Sequence, residues 1–173
     1  MCAGVAFRGM NAGPRLGSPA FPGRRGTHLE PVMTQTQPPR ILVVEDMPTT
    51  LLLYCQGLLK ACFAVDKAAD AAIARIALSQ RAYAAIVLDK QLGDSSGVDL
   101  LRAFRAAGGT APALFLTADS TAQGVQECLA AGAQDYLIKP VEIPALVQRV
   151  RRIVARGPVS PAADARPEAS AAA

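Results

Sequence analysis

Histidine is nearly absent. Its one copy, His28, sits in a polar stretch near the start, and tryptophan does not occur. A Ser-His-Asp or Cys-His mechanism therefore has almost nothing to be built from, and no histidine cluster is present to hold a transition metal. The four cysteines (Cys2, Cys55, Cys62, Cys128) form no CxxC pair and read as reduced thiols, the last three serving as small hydrophobes. Long apolar runs are missing too. The longest, Ala82 to Leu88, is seven residues, against the roughly 20 that span a bilayer. Arg8 interrupts the only stretch resembling a signal-peptide core. The expected setting is cytoplasmic, with no membrane partner. Charge of one sign is also scarce. Lys+Arg is 18 against Asp+Glu 14, a net of +4, too small an excess to argue for nucleic acid binding.

What is present is apolar material, 51% of the chain, enough to bury a core. Proline and glycine mark where that core ends. Residues 1–39 hold six Pro and six Gly with no hydrophobic period, and residues 157–173 hold three Pro and seven Ala, again without period. Both are expected to be disordered extensions. Met33, followed by a short polar lead, offers an alternative start just before the first apolar run. Residues 40–156 hold only four Pro and are expected to form the folded domain.

Between these bounds the chain alternates. Strand-like runs fall at 41–44, 64–67, 84–88, 113–116 and 136–138. Helical patterns fall at about 48–61, 69–79, 96–107, 120–131 and 142–155. The first, third and fourth runs are almost purely apolar, as strands buried on both faces are. Five strands alternating with five helices predict an α/β fold, a doubly wound parallel sheet with helices on both faces.

In such sheets ligands bind beyond the carboxyl ends of the strands. Glu45 and Asp46 follow the first run and Asp89 follows the third. Thr117 ends the fourth, followed by the small Ala118, and Lys139-Pro140 follows the fifth. Three clustered carboxylates repel one another unless a cation intervenes or one is protonated. Oxygen ligands without His or Cys select a hard divalent ion such as Mg²⁺. A carboxylate held against that ion, with an ammonium and a hydroxyl beside it, is set up to accept a phosphoryl group.

The ordered set Ile41-Leu-Val-Val-Glu-Asp46, Ile86-Val-Leu-Asp89, Leu92-Gly93-Asp94 with Gly97, Leu116-Thr117-Ala118 and Asp135-Tyr-Leu-Ile-Lys139-Pro140 resembles the receiver domains of two-component response regulators. The resemblance covers about residues 40–156. It implies a flavodoxin-like strand order 2-1-3-4-5. It implies Asp89 as phosphoacceptor and Mg²⁺ as cofactor. Asp46 and Asp89 would hold the ion directly, Glu45 mainly through water, and the Gln91 backbone carbonyl would complete the protein ligands. Thr117, Ala118 and Lys139 would contact the phosphoryl group, and Thr117 with Tyr136 would form a switch pair. The donor would be a phosphohistidine on a sensor histidine kinase or a histidine phosphotransfer protein. The protein would be no enzyme beyond assisting its own phosphorylation and dephosphorylation.

Several expectations remain open on sequence. Lys90 stands after Asp89 where the family usually has an apolar residue, and its charge either perturbs the site or points to solvent. Leu51, Leu52 and Leu53 cannot all face the sheet from one helix, so at least one is exposed near the site. That residue, Leu51 or Leu52, is either scattered surface leucine or a docking ledge for the donor. Arg149, Arg151, Arg152 and Arg156 read as a solvated face, or as part of a homodimer surface formed by the fourth helix, fifth strand and fifth helix. Only 16 residues follow Gly157, so a stand-alone receiver signalling through an unknown partner or onward phosphate transfer is expected. Two alternatives stand beside it. One is a degenerate receiver acting only as an interaction module. The other is an aspartate-nucleophile phosphatase, which would want an Asp where Gln91 stands.

Overall fold

The computed structural model describes residues 37–159. The expected extensions at 1–39 and 157–173 lie almost wholly outside the described residues. β1 (Arg40–Val44), β2 (Ala64–Ala68), β3 (Ala85–Asp89), β6 (Ala113–Thr117) and β7 (Asp135–Ile138) form one parallel sheet in the order β2-β1-β3-β6-β7. Counting only these five, the order is the predicted 2-1-3-4-5. A second, two-stranded antiparallel pair, β4 (Gln91–Leu92) with β5 (Ser95–Ser96), lies directly after β3. The sequence reading missed it, because two residues carry no periodicity.

Five helices connect the strands: α1 (Pro48–Lys60), α2 (Ala71–Gln80), α3 (Gly97–Ala106), α4 (Ala122–Ala130) and α5 (Ile143–Arg156). Their starts are legible in local chemistry. The side chains of Asp70, Ser96 and Thr121 accept hydrogen bonds from Ile73 N, Asp99 N and Gly124 N, capping α2, α3 and α4. α1 and α5 instead carry a proline in their first two positions, where the missing N–H costs nothing.

Side chains alternate across the sheet and feed two cores. Ile41, Val43, Ala85, Val87, Leu114 and Leu116 face α1 and α5, where Leu58, Leu146, Val150 and Ile153 cover them. Leu42, Val44, Ile86, Leu88, Ala113 and Phe115 face the other way, under Ala74, Leu100, Leu101 and Cys128 of α2, α3 and α4. Burial on both sides explains why β1, β3 and β6 read as unbroken apolar runs. No helix among the described residues is long and apolar enough to cross a membrane.

α1 resolves the leucine run. Leu51 is 6% exposed and belongs to the core with Tyr54, Cys55 and Leu58, whereas Leu52 and Leu53 are 50% and 52% exposed. The docking expectation for Leu51 is therefore corrected: the helical stripe that faces the sheet takes Leu51 and leaves its two successors outside. Arg149 and Arg152 likewise depart from a merely solvated face. Both donate to the buried carboxylate of Asp135 at the start of β7, Arg149 at 2.9 and 3.0 Å.

Candidate functional site

The carboxyl ends of β1, β3, β6 and β7 lie side by side, because those strands are consecutive neighbours in the sheet. Asp89 is the last residue of β3 and Thr117 the last of β6, while Glu45-Asp46 and Lys139 follow β1 and β7 directly. Together with Met47, Lys90, Gln91, Ala118 and Asp119 they line a cleft of about 550 Å³. A separate cleft of about 440 Å³ between α2 and α3, lined by Leu78, Leu100 and Phe104 among others, holds no carboxylate and offers no comparable chemistry.

Lys139 is the hub of the site. Its Nζ donates to Asp89 Oδ2 at 2.6 Å and to Glu45 Oε2 and Oε1 at 2.8 and 3.2 Å. Burial pulls the Lys139 ammonium down, but its hydrogen bonds to Asp89 and Glu45 outweigh that and hold it above its ordinary value. Glu45, at 1% exposure, is the most enclosed charged side chain here. Burial pushes its carboxyl above the ordinary range, against the pull of Lys139, and the charges of Asp89 and Asp46 push the same way.

The other carboxylates are steered by backbone. Asp89 Oδ1 accepts from Gln91 N at 3.2 Å, and Asp46 Oδ2 accepts from Gly93 N at 3.0 Å. Gly93 has φ of +61°, a conformation that glycine adopts freely, and the β4–β5 turn thereby aims its N–H at β1's acidic pair. Behind Asp89, α3 begins at Gly97. A Cβ on Gly97 would overlap the Asp89 carbonyl oxygen, so only glycine lets the helix start this close to the end of β3.

One oxygen from each of Glu45, Asp46 and Asp89 can be chosen so that all lie within 4.8 Å of one another. Asp46 is exposed while the other two are buried, so the triad opens to solvent on one side. With three anionic charges against the one ammonium of Lys139, and only oxygen donors, the set fits a hard divalent cation that keeps part of its water.

Thr117 is buried at the floor of the cleft and its Oγ1 accepts from Asp119 N at 2.9 Å. It follows Phe115 by two residues and so shares the sheet face toward α2, α3 and α4. Tyr136 is paired in register with Phe115, and its half-buried ring packs against the core on that same face. The structure thus brings Glu45, Asp46, Asp89, Gln91, Thr117, Ala118 and Lys139 into one cleft and places Tyr136 two register positions back from Thr117. Leu52 and Leu53 stay on the outside of α1.

The sequence reading missed one part of the site. Lys90 neither reaches the acidic triad nor points to solvent. Its Nζ donates to Asp119 Oδ2 at 2.8 Å and stands 3.1 Å from Glu127 on α4. Asp119 also accepts from Thr121 N and Thr121 Oγ1 at 2.9 and 2.6 Å. The Lys90 hydrogen bond, aided by Thr121, holds the Asp119 carboxyl well below the usual carboxylate range. The spacing of Lys90, Asp119 and Glu127 in the chain carries no signal of this contact.

The chain matches the family model of the response regulator receiver domain over residues 41–151. It is 40% identical over 119 residues to the probable transcriptional regulatory protein SilR of Salmonella typhimurium, covering 68% of this chain and 52% of that protein. The chain spans about half the length of the curated relatives it matches. Among solved structures, the receiver domain of Francisella response regulator 1452 superposes with a TM-score of 0.66 at 26% identity, covering 68% of this chain and 98% of that one. The receiver domain of the sensor histidine kinase PA1611 from Pseudomonas aeruginosa does so with 0.63 at 30% identity, covering 68% and 98%, and in it a magnesium ion is coordinated in the active site cleft. The match across the sheet, its five helices and the cleft at its carboxyl end places this chain in the response regulator receiver family of two-component signal transduction.

Proposed function

We propose that the domain, residues 40–156, accepts a phosphoryl group from phosphohistidine onto Asp89 and signals through the resulting change. The observation that carries this is the Lys139 ammonium lying between the carboxylates of Asp89 and Glu45 in a cleft that Asp46 opens to solvent. Glu45, Asp46, Asp89 and the backbone carbonyl of Gln91 would hold Mg²⁺, and the residues present fit that ion. Bound there, it supplies positive charge to the transferring phosphoryl oxygens.

Asp89 attacks phosphorus through a carboxylate oxygen. An O–P bond forms as the P–N bond to the donor imidazole breaks, and the imidazole leaves with the electron pair. Gln91 N orients the Asp89 carboxylate through Oδ1. Lys139 shifts part of its hydrogen bonding from Asp89 to a phosphoryl oxygen, where its charge offsets the added negative charge. Thr117, whose oxygen now accepts from Asp119 N, keeps its own proton to donate to the phosphoryl group. Ala118 is small enough to leave room beside it. Tyr136, on the same face, would follow Thr117 as the second half of the switch. No side chain stands as an acid/base two residues after Asp89, since that position is Gln91, which favours a receiver over an aspartate-nucleophile phosphatase. Hydrolysis of the acyl phosphate would then be self-assisted.

The partner is a sensor histidine kinase or a histidine phosphotransfer protein, met in the cytoplasm, with Leu52 and Leu53 offering an apolar ledge on α1. Output would pass to another protein or to a further phosphotransfer step. α4, β7 and α5 offer a surface for a homodimer. Intact-mass measurement with acetyl phosphate tests the core of this reading. Wild type should gain one phosphoryl group, labile in both acid and base as an acyl phosphate is, and Asp89→Asn none. An undiminished adduct on Asp89→Asn would remove the assignment, and no adduct on the wild type would favour a pure interaction module.

A further inference from the structure

We propose that Lys90 is a positioning residue: by gripping Asp119 and Glu127 it latches α4 and the β6–α4 loop to the strand that carries Asp89, and so restrains the movement of Thr117. The inference rests on phosphoryl acceptance at Asp89 as proposed above. The latch itself is a set of contacts. Lys90 is rooted at the end of β3, where its N–H donates to Leu116 O at 3.0 Å and its carbonyl accepts from Gly97 N at 2.9 Å. Its side chain, 18% exposed, crosses to Asp119 in the loop and to Glu127 two turns away on the helix next to that loop.

Asp119 is the middle link. Its carboxylate is held from three donors, Lys90 Nζ, Thr121 N and Thr121 Oγ1. It lies so close to α4 that a Cβ on Gly124 would overlap it. Its own N–H donates to Thr117 Oγ1. Lys90 therefore connects to Thr117 through a single residue, and α4 is fastened at both its first turn and Glu127. For the Thr117 hydroxyl to travel toward a phosphoryl group, Asp119 must move with it or release it. With Lys90 in place, the first route pulls the Asp119 carboxylate off its ion pair with Lys90, and the second costs the hydrogen bond from Asp119 N to Thr117 Oγ1. A binding-competent state that is populated only in part lowers apparent affinity by that fraction. Loosening the latch should therefore tighten binding of a phosphoryl mimic.

The sign separates this from plain electrostatics. Lys90 is a cation lining the cleft, so removing its charge should weaken an anionic mimic if charge alone acts. In Lys90→Met, beryllofluoride with Mg²⁺ should bind about two- to fivefold tighter than to wild type, the range that partly exposed ion pairs carry. Lys90→Arg, which keeps the charge and can still pair, should return to wild-type affinity. Backbone amide hydrogen exchange without any donor is the second readout. Residues 122–130 should exchange faster in Lys90→Met and in Glu127→Gln, with the exchange of β1 and β3 unchanged. Weaker or equal beryllofluoride binding by Lys90→Met overturns the proposal while leaving Asp89 as acceptor. Unchanged α4 exchange overturns it without reference to phosphorylation. If wild type binds no beryllofluoride, the acceptor reading falls and the positioning role falls with it.

Discussion

The Lys139 ammonium stands 2.6 Å from Asp89 Oδ2, although 50 residues separate the two in the chain. β3 and β7 carry them, with β6 between, and each residue is placed by where its strand ends. The same ammonium holds the buried Glu45, so one cation ties together three strand ends. That leaves the acidic triad with two charges beyond what Lys139 balances.

A divalent cation should therefore stabilise the fold. Saturating Mg²⁺ is expected to raise the unfolding free energy by about 1–3 kcal/mol, as a ligand that binds only the native state does. Asp46→Asn should lose most of that gain, because it removes the one solvent-facing carboxylate of the triad. Urea unfolding with Mg²⁺ and with a chelator measures both. An equal gain in Asp46→Asn would show that the ion binds elsewhere.

Gly97 tests the contact behind Asp89. Gly97→Ala pushes a methyl group into a backbone carbonyl that cannot rotate away, an overpacking that costs about 1–3 kcal/mol. It should also slow phosphorylation by acetyl phosphate, since Asp89 must shift. Gly93→Ala meets no neighbour within 4 Å and suffers only its positive φ, at about 1 kcal/mol. Denaturation of the two variants side by side should rank Gly97→Ala as the worse.

Asp135 gives a pH signature far from the cleft. Burial pushes its carboxyl up, but hydrogen bonds from Arg152 and Arg149 outweigh that and hold it below its ordinary 3.8. A depressed folded value means the contribution is complete above 3.8 and fades as pH falls through the folded value. Both arginines are more than a third exposed, so solvent screening limits the contribution to about 1 kcal/mol. Asp135→Asn should be less stable than wild type by that amount near neutral pH, and the gap should close in strong acid. A gap that widens on acidification would refute the pairing.

Leu52 and Leu53 test donor docking. Each is half exposed, so Leu52→Gln and Leu53→Gln should fold normally. A leucine buried against a partner is worth about 1.5–3 kcal/mol, so phosphotransfer from the cognate histidine donor should slow by about tenfold or more. Phosphorylation by acetyl phosphate should be unchanged. Equal slowing with both donors would point to the site rather than to docking. Leu51→Gln is a different experiment, since a buried core leucine lost to a polar side chain should unfold the domain.

The fold was legible because the sheet is parallel and covered on both faces. That burial makes β1, β3 and β6 continuous apolar runs, and it forces the chemistry to the strand ends, where Glu45, Asp46, Asp89, Thr117 and Lys139 stand in plain order. Strand ends are local features, so residue order alone named these candidate residues. The tertiary structure decided everything that depends on which way a side chain turns. Helical phase sent Leu51 inward and Leu52 outward, a choice that three consecutive leucines leave open. It turned Arg149 and Arg152 onto Asp135, and it carried Lys90 to Asp119 and Glu127, 29 and 37 residues away. Those contacts join segments whose approach is set by sheet register and helix packing, and no spacing along the chain encodes them.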